Sequence, residues 1–270
     1  MGDSIITLTN IVKCYGKHEV LKGVNLDIKK GRIYGLVGKN GAGKSTIFKV
    51  ILGLSDYTSG SLRVGAEGDT PDEGRRKIGF LIGNNYYDKM NGRDNLMFYA
   101  RLKGIKNPKQ EVERVLKIVE LDNVKTKVMG YSLGMKQRLG IANALLGTPE
   151  VLILDEPTNG LDPQGIADIR HLVQSLNKEY GMTVIVSSHI LGELQHTAHE
   201  FAILNEGRIV RLLTEEDMKN TGGRVSINVD DLDKARKALE DAGVQAEVEE
   251  QVTKSLEDIY FEMIGGKKDA

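Results

Sequence analysis

The sequence has few of the features that mark secreted or membrane-spanning proteins. Its single cysteine, Cys14, cannot form an internal disulfide, which favours a reducing compartment. No apolar run reaches the roughly 18 residues that a transmembrane helix needs, and the start, MGDSIITLTN, lacks the charged and then apolar build of a secretory signal. We therefore expect a cytoplasmic chain that does not cross a membrane by itself.

An excess of charge of either sign is also missing. The 37 Lys and Arg residues are matched by 38 Asp and Glu residues, which gives a formal net charge of -1. Nucleic-acid-binding proteins usually present a basic face to the phosphate backbone. With 40% hydrophobic and 28% charged residues among 270, the composition is typical of a globular protein, and no nucleic-acid partner is expected.

Short apolar runs alternate with helical patterns over residues 33–204, which is typical of an α/β fold with a mainly parallel sheet. The runs 33–37, 151–154 and 183–187 are apolar enough to be strands buried on both faces. Helical periodicity dominates residues 91–146, so we predict a helical subdomain, at about 84–147, inserted into the sheet-bearing core.

The sequence pattern changes after residue 210. Residues 224–229 and 246–250 are typical of strands, and residues 233–242 are typical of a helix. We therefore predict two domains, a large one at 1–213 and a small α+β appendix at 214–270. The chain contains no internal repeat, low-complexity segment or heptad array.

A glycine-rich loop follows the first buried run and leads into a helical pattern. Backbone N–H groups of such a loop can face phosphate oxygens without side-chain clashes, and the helix N-terminus adds its dipole. We expect Lys44 to reach the β- and γ-phosphates of a nucleotide and Ser45 to coordinate Mg²⁺. The predicted nucleotide-binding residues of this loop are Gly38, Lys39, Asn40, Gly41, Ala42, Gly43, Lys44, Ser45 and Thr46.

The second buried run ends in two acids, Asp155 and Glu156. Ligands of open α/β sheets collect at the carboxyl ends of the strands. Asp155 is expected to hold the Mg²⁺ shell through water, and Glu156 to polarise the water that attacks the nucleotide. A strand that ends in solvated acids is common on its own, but together with the phosphate loop the pair favours nucleotide hydrolysis.

Further elements separate the classes of phosphate-loop protein. A GTPase needs an Asn-Lys-x-Asp element, and the nearest candidate, residues 177–180, lacks the aspartate. Ser132 is well placed to cap a helix, where its hydroxyl and the Gly134 N–H form a second anion site. That helix is expected to bury one stripe, formed by Met135, Leu139, Ala142 and Leu146.

Residues 131–142 resemble the signature of the ATP-binding-cassette (ABC) family, whose usual form is Leu-Ser-Gly-Gly-Gln. The resemblance implies an ATPase core with an additional antiparallel β subdomain. It also implies a head-to-tail homodimer that encloses two ATP molecules. In that arrangement Ser132 and Gly134 would contact the γ-phosphate held by the second ATP-binding subunit.

Other family motifs follow in order over about residues 5–212. Residues 159–162, which end at Asp162, resemble the loop that crosses the dimer interface. His189 matches the family's switch histidine, which implies contact with the γ-phosphate and orientation of Glu156. Tyr15 matches the aromatic residue that stacks on adenine.

Four residues near this histidine have a spacing that suggests a metal cluster. They are His189, Glu193, His196 and His199. No strong ligand pattern completes the set, so we interpret them as a solvated helix surface rather than a zinc site.

Two positions depart from the family pattern. Leu133 stands where the first glycine of the signature is usual. Gly83 stands where the family places glutamine, or glutamate in some antibiotic exporters, to link Mg²⁺ and the attacking water to the membrane partner. Because glycine has no side chain, we hypothesise that Asn84 or Asn85 substitutes.

The sequences of residues 78–82, 132–142 and 255–261 are similar to those of ATPase subunits of bacitracin- and lantibiotic-type exporters. This implies a subunit at the inner face of the cell membrane that energises a separate transmembrane permease, which would export an antimicrobial peptide or other small compound. We expect the permease to dock near residues 86–102. The apolar side chains there equally suit internal packing: Tyr86, Tyr87, Met90, Met97, Phe98 and Tyr99.

Two other functions fit the sequence less well. A soluble ABC ATPase that acts on a nucleoprotein or the ribosome is disfavoured, because the segment between Gly43 and Ser132 is too short for the long coiled coil of the DNA machines. Ribosome-acting relatives usually carry two cassettes in one chain, and this chain has one. A binding module that does not hydrolyse ATP is disfavoured by the presence of Glu156 and His189.

Overall fold

The computed structural model describes residues 3–83, 86–195 and 197–214, together with Asp217 and Lys234. Asn84, Asn85 and His196 lie outside the described residues, as do the strands and the helix expected between residues 224 and 250, apart from Lys234.

Backbone contacts divide the chain into two compact units, Met1–Leu213 and Thr214–Ala270. The nine strands of the described chain are β1 Ser4–Tyr15, β2 His18–Lys29, β3 Ile33–Val37, β4 Ser59–Val64, β5 Ile78–Leu81, β6 Val151–Leu154, β7 Thr183–Ser188, β8 Glu200–Asn205 and β9 Arg208–Thr214.

These strands form two sheets. The smaller one is antiparallel and has the order β2, β1, β4. The larger one has the order β5, β6, β7, β3, β8, β9, and it is parallel from β5 to β8. The predicted α/β class, with a mainly parallel sheet and an antiparallel β subdomain, is therefore confirmed.

The three strands at the centre of the larger sheet place the predicted motifs together. Every residue of β3, β6 and β7 is buried, as expected for strands covered on both faces. Since these strands are adjacent and parallel, their carboxyl ends meet at one edge, where Val37 pairs with Ser188 and Leu154 pairs with Val186. The phosphate loop, the two acids and His189 each follow one of these ends.

The described helices are α1 Lys44–Ile51, α2 Pro71–Arg76, α3 Gly92–Leu102, α4 Pro108–Ile118, α5 Leu133–Ala144, α6 Pro163–Tyr180 and α7 Leu191–Gln195, with a 3₁₀ turn at Val128–Gly130. Helices α3, α4 and α5 occupy the segment that the helical periodicity indicated. The exact limits of a helical subdomain and of the two domains stay predictions.

Helix α5 begins as expected but is buried differently. Ser132 is its N-cap, and the Ser132 Oγ accepts a hydrogen bond from the Met135 N–H at 3.2 Å. Met135 is only half-buried, whereas all residues from 139 to 146 are buried. The prediction of a single buried stripe is therefore wrong for the second half of the helix, because α3, α4, α6 and β5 contact the helix from several sides.

Cations from the neighbouring helices bind the last carbonyls of α5. The Lys103 Nζ donates to the Asn143 and Leu146 oxygens at 3.3 and 3.2 Å, and Arg114 donates to the Leu145 oxygen at 3.0 Å. Burial lowers the pKa of Lys103. Positive groups at a helix C-terminus satisfy free carbonyls and complement the dipole, so these contacts hold the end of α5 that lies opposite Ser132.

The close contact between β5 and the end of α5 predicts the effect of a small substitution. A Cβ at Gly79 would lie 2.0 Å from the Ala144 carbonyl oxygen, so Gly79→Ala should lower the free energy of unfolding by about 1–3 kcal/mol. The matched control is Gly130→Ala, since a Cβ there would meet nothing within 4 Å. Urea unfolding would measure both, and an unchanged midpoint for Gly79→Ala would contradict the packing described.

Candidate active site

The glycine-rich loop connects β3 to α1, and its backbone lies close to other elements at two positions. Gly43, the N-cap of α1, has a φ of 113°, and a Cβ there would meet the Leu21 Cδ2 at 2.9 Å. A Cβ at Gly38 would lie 2.4 Å from the Leu204 carbonyl oxygen. Glycine is therefore required at both positions by conformation or by space.

Lys44 extends back over this loop. Its side chain is buried, and its Nζ donates to the carbonyl oxygens of Gly38 at 2.6 Å and Lys39 at 3.3 Å. The same Nζ forms an ion pair with the Glu156 Oε1 at 3.1 Å. An ammonium group has three donors, so these three contacts use all of them and link the loop to the end of β6.

Asp155 receives a hydroxyl group on each of its carboxylate oxygens. The Ser45 Oγ donates to Oδ2 at 2.5 Å, and the Ser187 Oγ donates to Oδ1 at 2.6 Å. Ser187 also accepts a hydrogen bond from the Glu156 N–H at 2.9 Å. Ser187 was not among the predicted site residues, although a polar residue at the end of a fully buried strand is a signal that could have indicated it.

Glu156 lies between two positively charged or polar partners. Its Oε1 contacts Lys44, and its Oε2 lies 2.9 Å from the His189 Nδ1. Burial opposes ionisation of the Glu156 carboxyl, but the hydrogen bond and charge of Lys44, followed by those of His189, outweigh it, so the net pKa is lowered. The Glu156 carboxyl is therefore ionised at neutral pH.

A cavity of about 170 Å³ lies beside these groups. It is lined by Val20, Asn40, Gly41, Gly43, Lys44, Ser45, Thr46 and Glu156. Of the remaining predicted loop residues, Gly38 and Ala42 are buried, and Lys39 is exposed. A larger cavity, of about 300 Å³, lies beside Glu150 and Thr183 at the opposite edge of the sheet and contains none of the predicted site residues.

Tyr15 lies at the end of β1 and does not line the smaller cavity. Its ring is about half exposed, and its hydroxyl is 3.2 Å from the Ser55 Oγ. The Lys13 Nζ lies 4.6 Å from the ring centroid on one side. The exposure of the ring suits stacking against a planar group.

Ser132, Gly134 and Asp162 lie at the starts of α5 and α6, and none of them lines the smaller cavity. Asp162 caps α6, where its Oδ1 accepts a hydrogen bond from the Gly165 N–H at 2.9 Å. The two helix starts are neighbours: the Leu133 Cδ2 lies so close to Gly160 that a Cβ added there would meet it at 3.1 Å. The unusual leucine of the signature therefore packs beside the 159–162 loop.

The interpretation of Glu193 and His199 as a solvated surface is wrong. The Glu193 Oε2 accepts hydrogen bonds from the Thr158 Oγ1 at 2.6 Å and the Ser188 Oγ at 3.1 Å. The His199 Nδ1 accepts one from the Ile33 N–H at 3.0 Å. Glu193 faces the protein because α7 contacts β7, and His199 does so because it directly precedes β8, where it lies beside Ile33 of β3. Local spacing does not reveal either contact.

In the part of the chain that the structure describes, no three or more His, Cys, Asp or Glu side chains are grouped so that they could hold a metal ion. None of the helices in that part has both the length and the apolar character that crossing a bilayer requires.

Comparison with known proteins agrees with this arrangement. The sequence profile of the ABC transporter family matches residues 21–159. The chain is 42% identical to the bacitracin transport ATP-binding protein BcrA of Bacillus licheniformis over 80% of its length and 72% of the relative. It is 44% identical to the lantibiotic transport ATP-binding protein SrtF of Streptococcus pyogenes over 76% of its length and 89% of the relative.

Solved structures show the same architecture. The ATP-binding cassette MJ0796, in a dimeric post-hydrolysis state bound to ADP and Pi, superposes with a TM-score of 0.67 at 29% identity and covers 77% of this chain and 98% of its own. The protein cbiO1 from Clostridium perfringens superposes with a TM-score of 0.70 at 26% identity and covers 88% and 99%. The chain therefore belongs to the ABC transporter family, as one of its ATP-binding, ATP-hydrolysing subunits.

Proposed function

We propose that this ATPase powers the export of an antimicrobial peptide or a similar small compound through a separate permease at the inner face of the cell membrane. The observation that carries the proposal is the convergence of Lys44, Ser45, Asp155, Glu156 and His189 at one edge of the parallel sheet. The cargo class is supported by the names of two relatives, which transport bacitracin and lantibiotics.

The loop and its neighbours fit a nucleoside triphosphate with Mg²⁺. Phosphate oxygens would replace the carbonyl partners of Lys44 with charged ones, which form stronger hydrogen bonds with an ammonium group. The Ser45 Oγ and the Asp155 Oδ2 meet at 2.5 Å, and such hard oxygen donors suit Mg²⁺. Bound there, Mg²⁺ would neutralise charge on the phosphate oxygens.

Glu156 is suited to act as the base that orients the attacking water. Its carboxylate is ionised, and one oxygen is held by His189 at 2.9 Å. When Lys44 turns toward phosphate, Glu156 loses its principal cationic partner, and its basicity rises at the moment that the substrate is in place. His189 then keeps the carboxylate oriented, which favours proton transfer from a positioned water.

The signature residues support a head-to-tail homodimer. Ser132 lies at the exposed start of α5, away from the cavity of its own chain. The N-terminus of this 12-residue helix, with the Ser132 hydroxyl and the Gly134 N–H, suits the γ-phosphate of an ATP molecule held by a second subunit. Asp162 and its loop lie beside Leu133 and would face the same interface.

A surface for the permease is proposed at an aromatic cluster formed by Tyr87, Phe98 and Tyr99. The Phe98 ring contacts both tyrosine rings edge-on, with centroids 5.3 Å apart. Tyr87 and Phe98 are nevertheless exposed to about half of their area, so the cluster is not an internal core. Exposed apolar groups of this kind mark protein interfaces.

Gly83, at the position of the usual coupling side chain, has a φ of 67°, and a Cβ there would meet nothing within 4 Å. Any contact of Gly83 with the nucleotide or the permease would be made by its backbone. The proposal that Asn84 or Asn85 replaces the missing side chain stays a hypothesis.

Substitution of Glu156 tests its role in hydrolysis. Glu156→Gln should reduce the rate of phosphate release from ATP at least about 100-fold, because the carboxylate is the proposed base, while ATP binding persists. ATP should then hold the variant as a dimer in size-exclusion chromatography. Glu150→Gln, at the opposite edge of the sheet, serves as the control with normal turnover, and full activity of Glu156→Gln would refute the assignment.

The lowered pKa of Glu156 predicts how its contribution to stability depends on pH. A carboxyl group whose folded-state pKa is depressed stabilises the fold above its unfolded pKa, and this stabilisation is lost as the pH falls through the folded-state pKa. The difference in urea midpoint between the nucleotide-free wild type and Glu156→Gln should therefore shrink as the pH falls below about pH 4.5. A difference that grows below about pH 4.5 would show the opposite sign.

The permease surface can be tested separately from catalysis. Phe98→Asp should reduce recovery of a co-expressed permease from detergent-solubilised membranes at least about tenfold, since burying an unpaired charge costs more than 1.4 kcal/mol. The ATPase activity of the isolated subunit should not change. Tyr180→Asp, at a similarly exposed ring, is the control, and equal recovery for the two variants would place the docking surface elsewhere.

A further inference from the structure

Glu193 makes a contact that the proposed mechanism does not use. One of its carboxylate oxygens, Oε2, accepts two hydroxyl groups, from Thr158 at 2.6 Å and from Ser188 at 3.1 Å. Thr158 and Ser188 are both buried. The Ser188 Oγ accepts a hydrogen bond from the Ile190 N–H at 3.0 Å, so its own hydrogen is directed to Glu193.

The two hydroxyl groups belong to the two segments that carry Glu156 and His189. Thr158 follows Glu156 by two residues, and Ser188 directly precedes His189. Glu156 and His189 contact each other at 2.9 Å. The chain and these hydrogen bonds therefore form a closed ring that runs through Glu156, Thr158, Glu193, Ser188 and His189.

The ring also contacts the phosphate loop and the loop that ends at Asp162. The Gly38 N–H donates to the Ser188 carbonyl oxygen at 3.3 Å, and the Leu161 N–H donates to the Thr158 carbonyl oxygen at 3.1 Å. One backbone hydrogen bond therefore ties the ring to each loop. The phosphate loop is also held by Lys44, which bonds to the carbonyl oxygens of Gly38 and Lys39. Among the hydrogen bonds of the described residues, Glu193 is the only acceptor for the hydroxyl hydrogens of Thr158 and Ser188.

We propose that Glu193 is a positioning residue, which holds the segments carrying Glu156 and His189 at the separation that lets the carboxylate and the imidazole meet. The inference rests on the proposed roles of Glu156 and His189 in hydrolysis. Without the Glu193 carboxylate, two buried hydroxyl donors lose their acceptor, and each segment must shift to satisfy its donor elsewhere. A displacement of about 1 Å at a reacting group can cost about 100-fold in rate.

The test compares Glu193→Ala with the conservative Glu193→Gln. The amide oxygen of glutamine can accept both hydroxyl groups, so Glu193→Gln should retain at least about half of the wild-type kcat. Glu193→Ala should lower kcat by about 10- to 100-fold. Its Kd for ADP, measured by calorimetry, should stay within about twofold, because the phosphate loop keeps its own contacts; a general loss of structure would weaken ADP binding and lower the Tm as well.

A double variant keeps the Glu193 carboxylate and removes both of its hydroxyl donors. Thr158→Val combined with Ser188→Ala should reproduce the loss of kcat, and adding Glu193→Ala to it should cause little further loss, because the three residues act as one unit. This arm remains decisive if Glu193→Ala does not fold. Glu179→Ala is the matched control, because it also removes a hydroxyl–carboxylate bond, from Ser175 at 3.0 Å on α6, and should leave kcat unchanged.

The outcomes separate this inference from the proposed function. If Glu156→Gln abolishes turnover but Glu193→Ala and the Thr158/Ser188 double variant hydrolyse ATP at the wild-type rate, the positioning role is refuted and the hydrolytic assignment stands. If Glu156→Gln retains full turnover, the proposed function itself fails. If the losses of kcat from Glu193→Ala and from the double variant were independent and additive, the proposal that the three residues act as one unit would also be refuted.

Discussion

The parallel pairing of β6, β7 and β3 is the constraint on which the rest of the site depends. These strands are buried on both faces, so their apolar side chains determine the sheet and leave only the strand ends for polar chemistry. Their register brings Val37 beside Ser188 and Leu154 beside Val186. Three segments that are far apart in sequence therefore begin within hydrogen-bond reach of one another, at the edge where α/β proteins bind ligands.

Opposite charges then organise that edge. The buried Lys44 ammonium is satisfied by two carbonyl groups and Glu156, and each oxygen of Asp155 accepts a serine hydroxyl. Buried charges are tolerated only when they are paired and hydrogen-bonded. The charges and hydrogen-bonding groups at this edge therefore compensate one another.

Several parts of this arrangement were predictable. The buried strands and the cap at Ser132 depend on local sequence, and the antiparallel β subdomain was implied by the family resemblance; all three agree with expectation. Periodicity was misleading for α5, whose second half is buried on every side, since a helix enclosed by several elements needs no polar face. Sequence spacing was also misleading for Glu193, which is close to three histidines in the sequence but bonds to Thr158 and Ser188.

The sequence by itself determined the order of the motifs, the strands that carry them and the family, because glycine spacing, caps and apolar runs act over a few residues. Only the tertiary structure decided which side chains meet. Ser187 joins Asp155 to the backbone of Glu156, Glu193 joins two loops, and Phe98 stays exposed although its neighbours are apolar. Each of these contacts depends on strand order and on the direction of a side chain, and neither is encoded within a short window of sequence.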